Sequence, residues 1–530
     1  MNSNRDNFKA KSNSTSRRKF LSTCAACGAC IAISPFASIA KEPNRADNSL
    51  IIPTAKSKFR IRVIYSLHDV VQPTADWPNI AYNFGPVMEN YNSILTKNFP
   101  RFEFLPTLAA GQPEAEKILL QDKEENISGY IVFQLNCWNR VVQTIAKSGK
   151  PVIYVDFKYG GSGGFLSYTA NFLKEQSKNV GFVSSSRVED LISAVKCFEV
   201  IERGGSVNDF VTATALARIK STPAPGNLSC REDRFKTLSP DETIRRMRES
   251  KILALRDQVS MCADPIMEIP LDYISFAELN YAWETADKHE ATVIAERWQK
   301  SANRVIGVQF NILQDSAAMY LAMKSVLKNH KANAITINCL GGFYSNQIQA
   351  YPCLGFHELN NEGLVGACEC DIRSTATMVA FTTMTQGRPG YISDPVIDTS
   401  KRQIIYAHCV ASNKVFGPDG PENPFEIMTH SEDRQGASVR SILPVDYMTT
   451  TLQINQNRKE ILFHQAKAVG NDPDDRACRT KLCGEPKGDI EKLFRYWGDW
   501  GWHRVTFYGD LKEQVYAFAD AMNWKVVEEA

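Results

Sequence analysis

Apolar and polar positions divide the chain into three textures. Between residues 57 and 203, apolar runs at 59–67, 101–105, 129–135, 151–156 and 180–183 alternate with amphipathic stretches at 115–120, 140–146 and 188–201. The runs predict strands and the stretches predict helices, because side chains repeat every two residues on a strand and about every 3.6 on a helix. Strands joined through helices need right-handed crossovers and a mostly parallel sheet. A turn-rich segment at 221–227, with Pro223, Pro225 and Gly226, leads to a charged helix pattern at 240–249. Long helical patterns at 276–301 and 315–329 then run into a strand at 334–339. Beyond residue 346, turns such as Pro418-Asp419-Gly420-Pro421 and short β-type runs at 439–443, 449–454 and 505–508 dominate, with helix patterns at 374–384 and 489–497. The fold class this predicts is α/β: two open, Rossmann-like α/β domains at 58–203 and 204–345, then a β-rich α+β C-terminal domain at 346–530 with a twisted-sheet or barrel-like core.

The first residues follow another pattern. Ser16-Arg17-Arg18-Lys19-Phe20-Leu21 precedes a weakly apolar stretch at 22–33 and a small-residue end at Ser38-Ile39-Ala40. This resembles the twin-arginine (Tat) export signal: a basic segment, an apolar stretch of about 7–15 residues and a small-residue cleavage site. The resemblance implies a signal peptide at 1–40 cut after Ala40, a linker at 41–57, a Tat translocase as export partner, and a periplasmic or other extracytoplasmic location. As a membrane anchor the stretch falls short of the ~20 apolar residues a span requires. A lipoprotein cut at Cys24 would leave no apolar segment after the arginines.

Charge changes the picture little. The 61 basic and 59 acidic side chains give +2, and without residues 1–40, which hold six basic and one acidic, the balance is −3. Nothing in that balance attracts nucleic acid or a membrane surface. Three of the fourteen cysteines lie within residues 1–40. The others show neither zinc-ligand pairs at two-residue spacing nor a disulfide framework, and most sit in apolar runs as buried thiols would.

Three places carry candidate chemistry. The densest is Asn360-Asn361-Glu362-Gly363 followed by Gly366-Ala367-Cys368-Glu369-Cys370-Asp371. Read as a strand, Glu369 and Asp371 at i and i+2 share a face and suit a hard divalent cation, while Asp371 also precedes a helix and suits its N-terminus. The second is Trp500-Gly501-Trp502-His503 with Tyr508-Gly509-Asp510, where a histidine between tryptophans suits a metal or a stacked sugar. His408 in an apolar run and His430 beside Glu432 and Asp433 read more simply as structural. The third, Tyr159-Gly160-Gly161-Ser162-Gly163-Gly164, follows a strand and reads as a mobile loop where α/β sheets place ligands. It lacks both the phosphate-loop ending and the dinucleotide spacing.

At these residues the chain resembles the L-fucose isomerase-like family, the group of L-fucose and L-arabinose isomerases. The layout from 57 to 530 is similar, and the sharp motifs lie at 333–371 and 497–530: the 333–339 strand, Asn361-Glu362-Gly363, Ala367-Cys368-Glu369-Cys370-Asp371 and Trp502-His503-Arg504-Val505-Thr506-Phe507-Tyr508-Gly509-Asp510. The resemblance implies an aldose–ketose isomerase of free sugars, assembled from several copies of the chain. A manganese-type ion (Mn2+ or another divalent cation) would bind two oxygens of the open-chain sugar, and a carboxylate would move a proton between C1 and C2. It further implies Asp371, His503 and Glu369 as metal ligands and Glu369 or Glu362 as the catalytic carboxylate. One departure stands against it: no Asp or Glu occurs from Lys331 to His357, where the family carries a glutamate just after the strand, so Glu358 or Glu362 would have to substitute for it. That departure leaves two alternatives, a sugar-binding protein that has lost catalysis and an epimerase or lyase acting on a modified sugar.

Overall fold

The computed structural model describes residues 59–256 and 261–530, so the export-signal and linker expectations at 1–57 lie outside the described residues. Five strands, β1 (Phe59–Ser66), β2 (Phe102–Ala109), β3 (Gly129–Gln134), β4 (Val152–Asp156) and β5 (Val180–Val183), form an all-parallel sheet of order β2-β1-β3-β4-β5. Strands β3, β4 and β5 are buried along their whole length, as a sheet covered on both faces requires. Alternate residues serve separate cores: Val63, Ile131 and Ile153 pack on one face, Ile64, Val132 and Tyr154 on the other. That second face meets Ile397, Ile404, Tyr406 and Trp497 from the C-terminal part of the chain.

The glycine-rich segment after β4 departs from the open loop its composition predicts. It is buried, and the Ser162–Lys174 helix starts inside it. A side chain at Gly161 would stand 2.0 Å from the Gln134 carbonyl oxygen, so glycine here permits close packing.

A second sheet has the order β11-β10-β6-β8-β7, built from β6 (Ile252–Arg256), β7 (Met261–Ile266), β8 (Ile269–Ser275), β10 (Ala334–Ile337) and β11 (Val365–Ala367), all parallel except β7 against β8. It therefore runs past residue 345. The expected helix at 276–301 is two helices, Phe276–Glu284 and Lys288–Ser301, because the Asp287 carboxylate accepts from the His289 and Glu290 amides and starts a new helix there. Strand β9 (Arg304–Ile306) pairs instead with β14 (Phe425–Met428), which also pairs with β15 (Ser438–Ser441).

The remaining strands are β12 (Tyr391–Asp398), β13 (Gln403–His408), β16 (Met448–Asn455), β17 (Glu460–Asn471), β18 (Thr480–Pro486), β19 (Arg504–Tyr508) and β20 (Lys525–Glu528). Six of them follow the order β16-β19-β12-β13-β18-β17, and pairing of β16 with β17 closes the ring. An irregularity between Ala468 and Gly470 interrupts the β17–β18 register, and irregularities of that kind let a strand turn a barrel corner. The helix pattern at 489–497 resolves into a tight turn at Ile490–Phe494 and a short helix at Trp497–Trp500, with Phe494 and Trp497 drawn into the core shared with the first sheet.

Between the second sheet and the barrel lies the Ile372–Met384 helix. The Asp371 carboxylate accepts from the Ser374 amide at its start, and Gln386 and Gly387, both at positive φ, follow its end. Met378, Val379 and Phe381 pack with Ile335, Leu452, Val505 and Phe507 in one core. Each such buried side chain contributes about 1.5–3 kcal/mol, so this helix fixes the position of the second sheet's C-terminal edge against the barrel rim.

Candidate metal centre

Register builds the site. Strand β12 pairs antiparallel with β13, setting Asp394 against Ala407, and with β19, setting Ser393 against Arg504. His408 and His503, one residue beyond each partner, are thereby brought to either side of Asp394. The Asp394 carboxylate spans them, with Oδ2 3.3 Å from His408 Nδ1 and Oδ1 3.2 Å from His503 Nε2. The two rings lie 5.7 Å apart at 61°.

The second sheet supplies the rest. After β11, Glu369 and Cys370 both take left-handed backbone conformations, with φ of 64° and 53°. The segment is therefore a turn and not the strand that would set Glu369 and Asp371 on one face. The turn nevertheless carries both acids to the same imidazole from opposite sides. Glu369 Oε2 lies 3.3 Å from His503 Nε2, and Asp371 Oδ2 lies 3.0 Å from His503 Nδ1.

These acids do different work. Asp371 is fully engaged: Oδ1 accepts from the Ser374 amide at 3.0 Å and Oδ2 from the Ser374 hydroxyl at 2.7 Å as well as from His503. Gln453, fully buried, donates to the Ser374 hydroxyl and to the His503 carbonyl, tying helix and histidine together. Asp371 thus orients the ring, as a carboxylate behind a metal-binding histidine does. Glu369, Asp394 and His503 instead present one donor atom each within 4.8 Å of one another. Two overlapping groups, Cys368 with Glu369 and His408, and Asp394 with His408 and Cys478, meet the same limit.

His503 Nε2 is buried with no hydrogen-bond partner although two carboxylates stand within 3.3 Å, and His408 Nε2 is likewise buried and unpartnered. Nitrogen and oxygen donors aimed at one point without aligned hydrogen bonds fit a borderline-to-hard divalent cation. The protonation states agree with a charged cluster. Burial opposes ionisation of Asp394, but His408 and His503 outweigh it and hold the carboxyl well below its ordinary range. Asp371 is lowered to about 2 by His503 and Ser374 against the same burial penalty. For His503, burial favours the neutral ring, yet Glu369, Asp371 and Asp394 raise it well above an ordinary histidine. His408 is raised for the same reason by Asp394. Asp394, His408 and His503 are almost wholly buried, whereas the Glu369 side chain keeps 27% of its surface exposed and marks the way in.

Other expected residues lie elsewhere. Glu362 ends the Cys353–Asn361 helix, bonded to the Tyr320 hydroxyl and, at 2.9 Å, to Lys324 Nζ, so it is committed away from His503. Glu358 is held by Arg297 and the Trp298 indole. Trp500 is buried, and Trp502 packs edge-on against Trp138 and Trp497. His430 pairs with Asp433 at 3.0 Å. Its neighbour Glu432 is pushed up to about 8 by burial, against the pull of His430 and the Tyr344 hydroxyl. Such a displaced carboxyl beside a cluster is a common mark of a working site. Asp394 lies outside all the motifs of the sequence; its signal is an acid inside the apolar run Tyr391-Ile392-Ser393-Asp394-Pro395-Val396-Ile397, all of it buried in the fold.

No protein-family model matches the chain. Among proteins of known name it is similar to sulfoquinovose isomerases: 24% identical over 215 residues to that of Clostridium sp. (strain MSTE9), covering 38% of this chain and 46% of the relative. The match to that of Priestia megaterium (strain ATCC 12872 / QMB1551) is 25% over 118 residues, covering 21% and 26%. The chain thus spans less than half the length of the relatives it matches. Solved structures with a slight likeness include an ABC transporter solute-binding protein from Bacillus halodurans C-125 with bound myo-inositol, 13% identical over 55% of this chain and 81% of that one, at a TM-score of 0.17. At that score the likeness carries no argument, and what the comparisons establish is distant similarity to sugar isomerases over part of the chain.

Proposed function

We propose that this chain is a divalent-metal-dependent aldose–ketose isomerase acting on a free sugar, and that it meets its substrate after export. The observation that carries the reading is the convergence of Glu369, Asp394 and His503 on one point, with a buried imidazole nitrogen among them that makes no aligned hydrogen bond. The similarity to sulfoquinovose isomerases supports the sugar class and makes a sulfonated aldose the first candidate substrate.

Asp394, His503 and one carboxylate oxygen of Glu369 would hold the ion, here taken as Mn2+, with His408 behind them and Asp371 fixing the His503 ring. When bound, such an ion polarises the substrate's oxygens and steadies negative charge that develops during proton transfer. Glu369 stands at the exposed side of the cluster and is the carboxylate placed to take a proton from one carbon and return it to the next. The absence of an acid at 331–357 is offset by Asp394, which brings a second carboxylate from the barrel. For that reason the catalytic reading is favoured over loss of catalysis.

The test is turnover of a panel of aldoses, sulfoquinovose included, by protein stripped of metal and then reloaded with Mn2+. Conversion to the matching ketose only in the reloaded sample is expected; bound Mn2+ with no ketose from any sugar would remove isomerisation. Asp371→Asn separates orientation from folding, because asparagine still caps a helix. Its Mn2+ affinity should fall about 10–100-fold in a calorimetric titration while the circular dichroism spectrum stays that of the wild-type fold.

A further inference from the structure

We infer that Cys339 and Cys368 are a redox-responsive pair that closes into a disulfide when a small peroxide reaches it. Their Sγ atoms stand 3.1 Å apart, and both side chains are buried. The neighbouring backbone explains the approach. Strands β10 and β11 run parallel with Thr336 beside Ala367, so the chain leaves both at the same edge of the sheet, Cys368 directly after β11 and Cys339 two residues after β10. A disulfide needs its sulfurs at about 2.05 Å, so closure asks them to approach by only about 1 Å. The nearby thiols Cys409 and Cys478 interact with each other as well, and each also meets the Ser431 hydroxyl, at 3.5 and 3.7 Å.

The reaction balances with peroxide as the oxidant. One sulfur attacks a peroxide oxygen, the O–O bond breaks, and a sulfenic acid and one water form. The other sulfur then displaces that oxygen as a second water, and the S–S bond forms. The two thiols give up two electrons and two protons, and the peroxide is reduced to two waters. A thiol reductant reverses the bond by exchange.

The pair adjoins the candidate metal centre. Cys368 is followed directly by Glu369, whose backbone takes the left-handed conformation. Drawing Cys368 toward Cys339 therefore pulls on Glu369, and the oxidised protein holds a divalent cation less firmly. That second consequence rests on the function proposed above; the disulfide does not.

The experiment uses the full chain, reduced, treated with equimolar hydrogen peroxide, alkylated and peptide-mapped. A cross-linked peptide containing both residues is expected, lost on adding a thiol reductant and missing from Cys339→Ser and from Cys368→Ser. Recovery of both cysteines as alkylated thiols or as sulfinic acids, without the cross-link, would overturn the pair. Mn2+ titration of reduced and oxidised protein should show affinity about tenfold weaker after oxidation. Equal affinities would sink the coupling to Glu369. If the reduced protein takes no Mn2+, the ion-site reading fails, and the pair is judged on the cross-link alone.

Discussion

Asp394→Asn should lower Mn2+ affinity by about 10–100-fold or more and isomerase turnover by about 10²–10³-fold, while leaving the fold intact. The carboxylate faces both His408 and His503, at 3.3 and 3.2 Å, and asparagine keeps its shape while removing its charge. Both imidazoles are raised by carboxylate neighbours, so both should titrate lower in the variant. Calorimetric titration with Mn2+, circular dichroism and ketose formation together check the expectation. Unchanged metal affinity would rule this carboxylate out as a ligand.

The largest effect on stability is expected at Glu529, which lies inside the barrel region with no exposed surface. Its carboxylate accepts from Arg504 at 2.8 Å and from His464 Nδ1 at 2.9 Å, and His464 Nε2 in turn meets the Tyr406 hydroxyl at 2.7 Å. Arg504 also donates to the Gly501 and His503 carbonyls and lies over the Trp497 ring. Glu529→Ala leaves that buried guanidinium without its counter-charge, a loss of about 3–5 kcal/mol, measurable by urea unfolding at neutral pH. Burial works against the charged form of Glu529, but Arg504 and His464 outweigh it and hold the carboxyl below its ordinary value. A carboxyl lowered by folding stabilises above its unfolded pKa, about 4.3, and loses that contribution as pH falls through the folded value. Wild-type stability should therefore drop on acidification to about pH 3. Glu529→Gln should start lower at pH 7 and lose less over the same range. A variant with an identical acid profile would show that other carboxyls set it.

Local pattern made the elements legible and left their pairing hidden. Strands such as β3 and β4 are written in their apolar runs, and the helix after Asp371 in its cap and its buried face. Glu369, Asp371 and His503 could be named because each sits in a short motif, and the folded chain does bring them together. What the motif could not tell was which nitrogen each acid would face, because that depends on two consecutive left-handed residues in a turn that reads like a strand. Asp394 and His408 were illegible as partners for a different reason. Their meeting is a fact of antiparallel register, and nothing local to residue 394 announces residue 407 or 504. The break at Asp287 shows the reverse case: a capping side chain plainly present in the sequence divides a helical period that continues on either side of it.

The donors of the candidate centre are drawn from Glu369 to His503, and three of them meet only if β12 lies in correct register between β13 and β19. A slip of one residue along β12 would turn Asp394 to the opposite face of the barrel wall. Under the proposed function, ion occupancy would thus be a readout of assembly. A chain nicked between residues 409 and 502 that had lost its C-terminal piece would keep Asp394 and His408 but forfeit His503, and a misregistered chain would keep all three and still bind nothing. Such a centre would be a checksum on the barrel, one that metal content alone could read before any sugar is supplied.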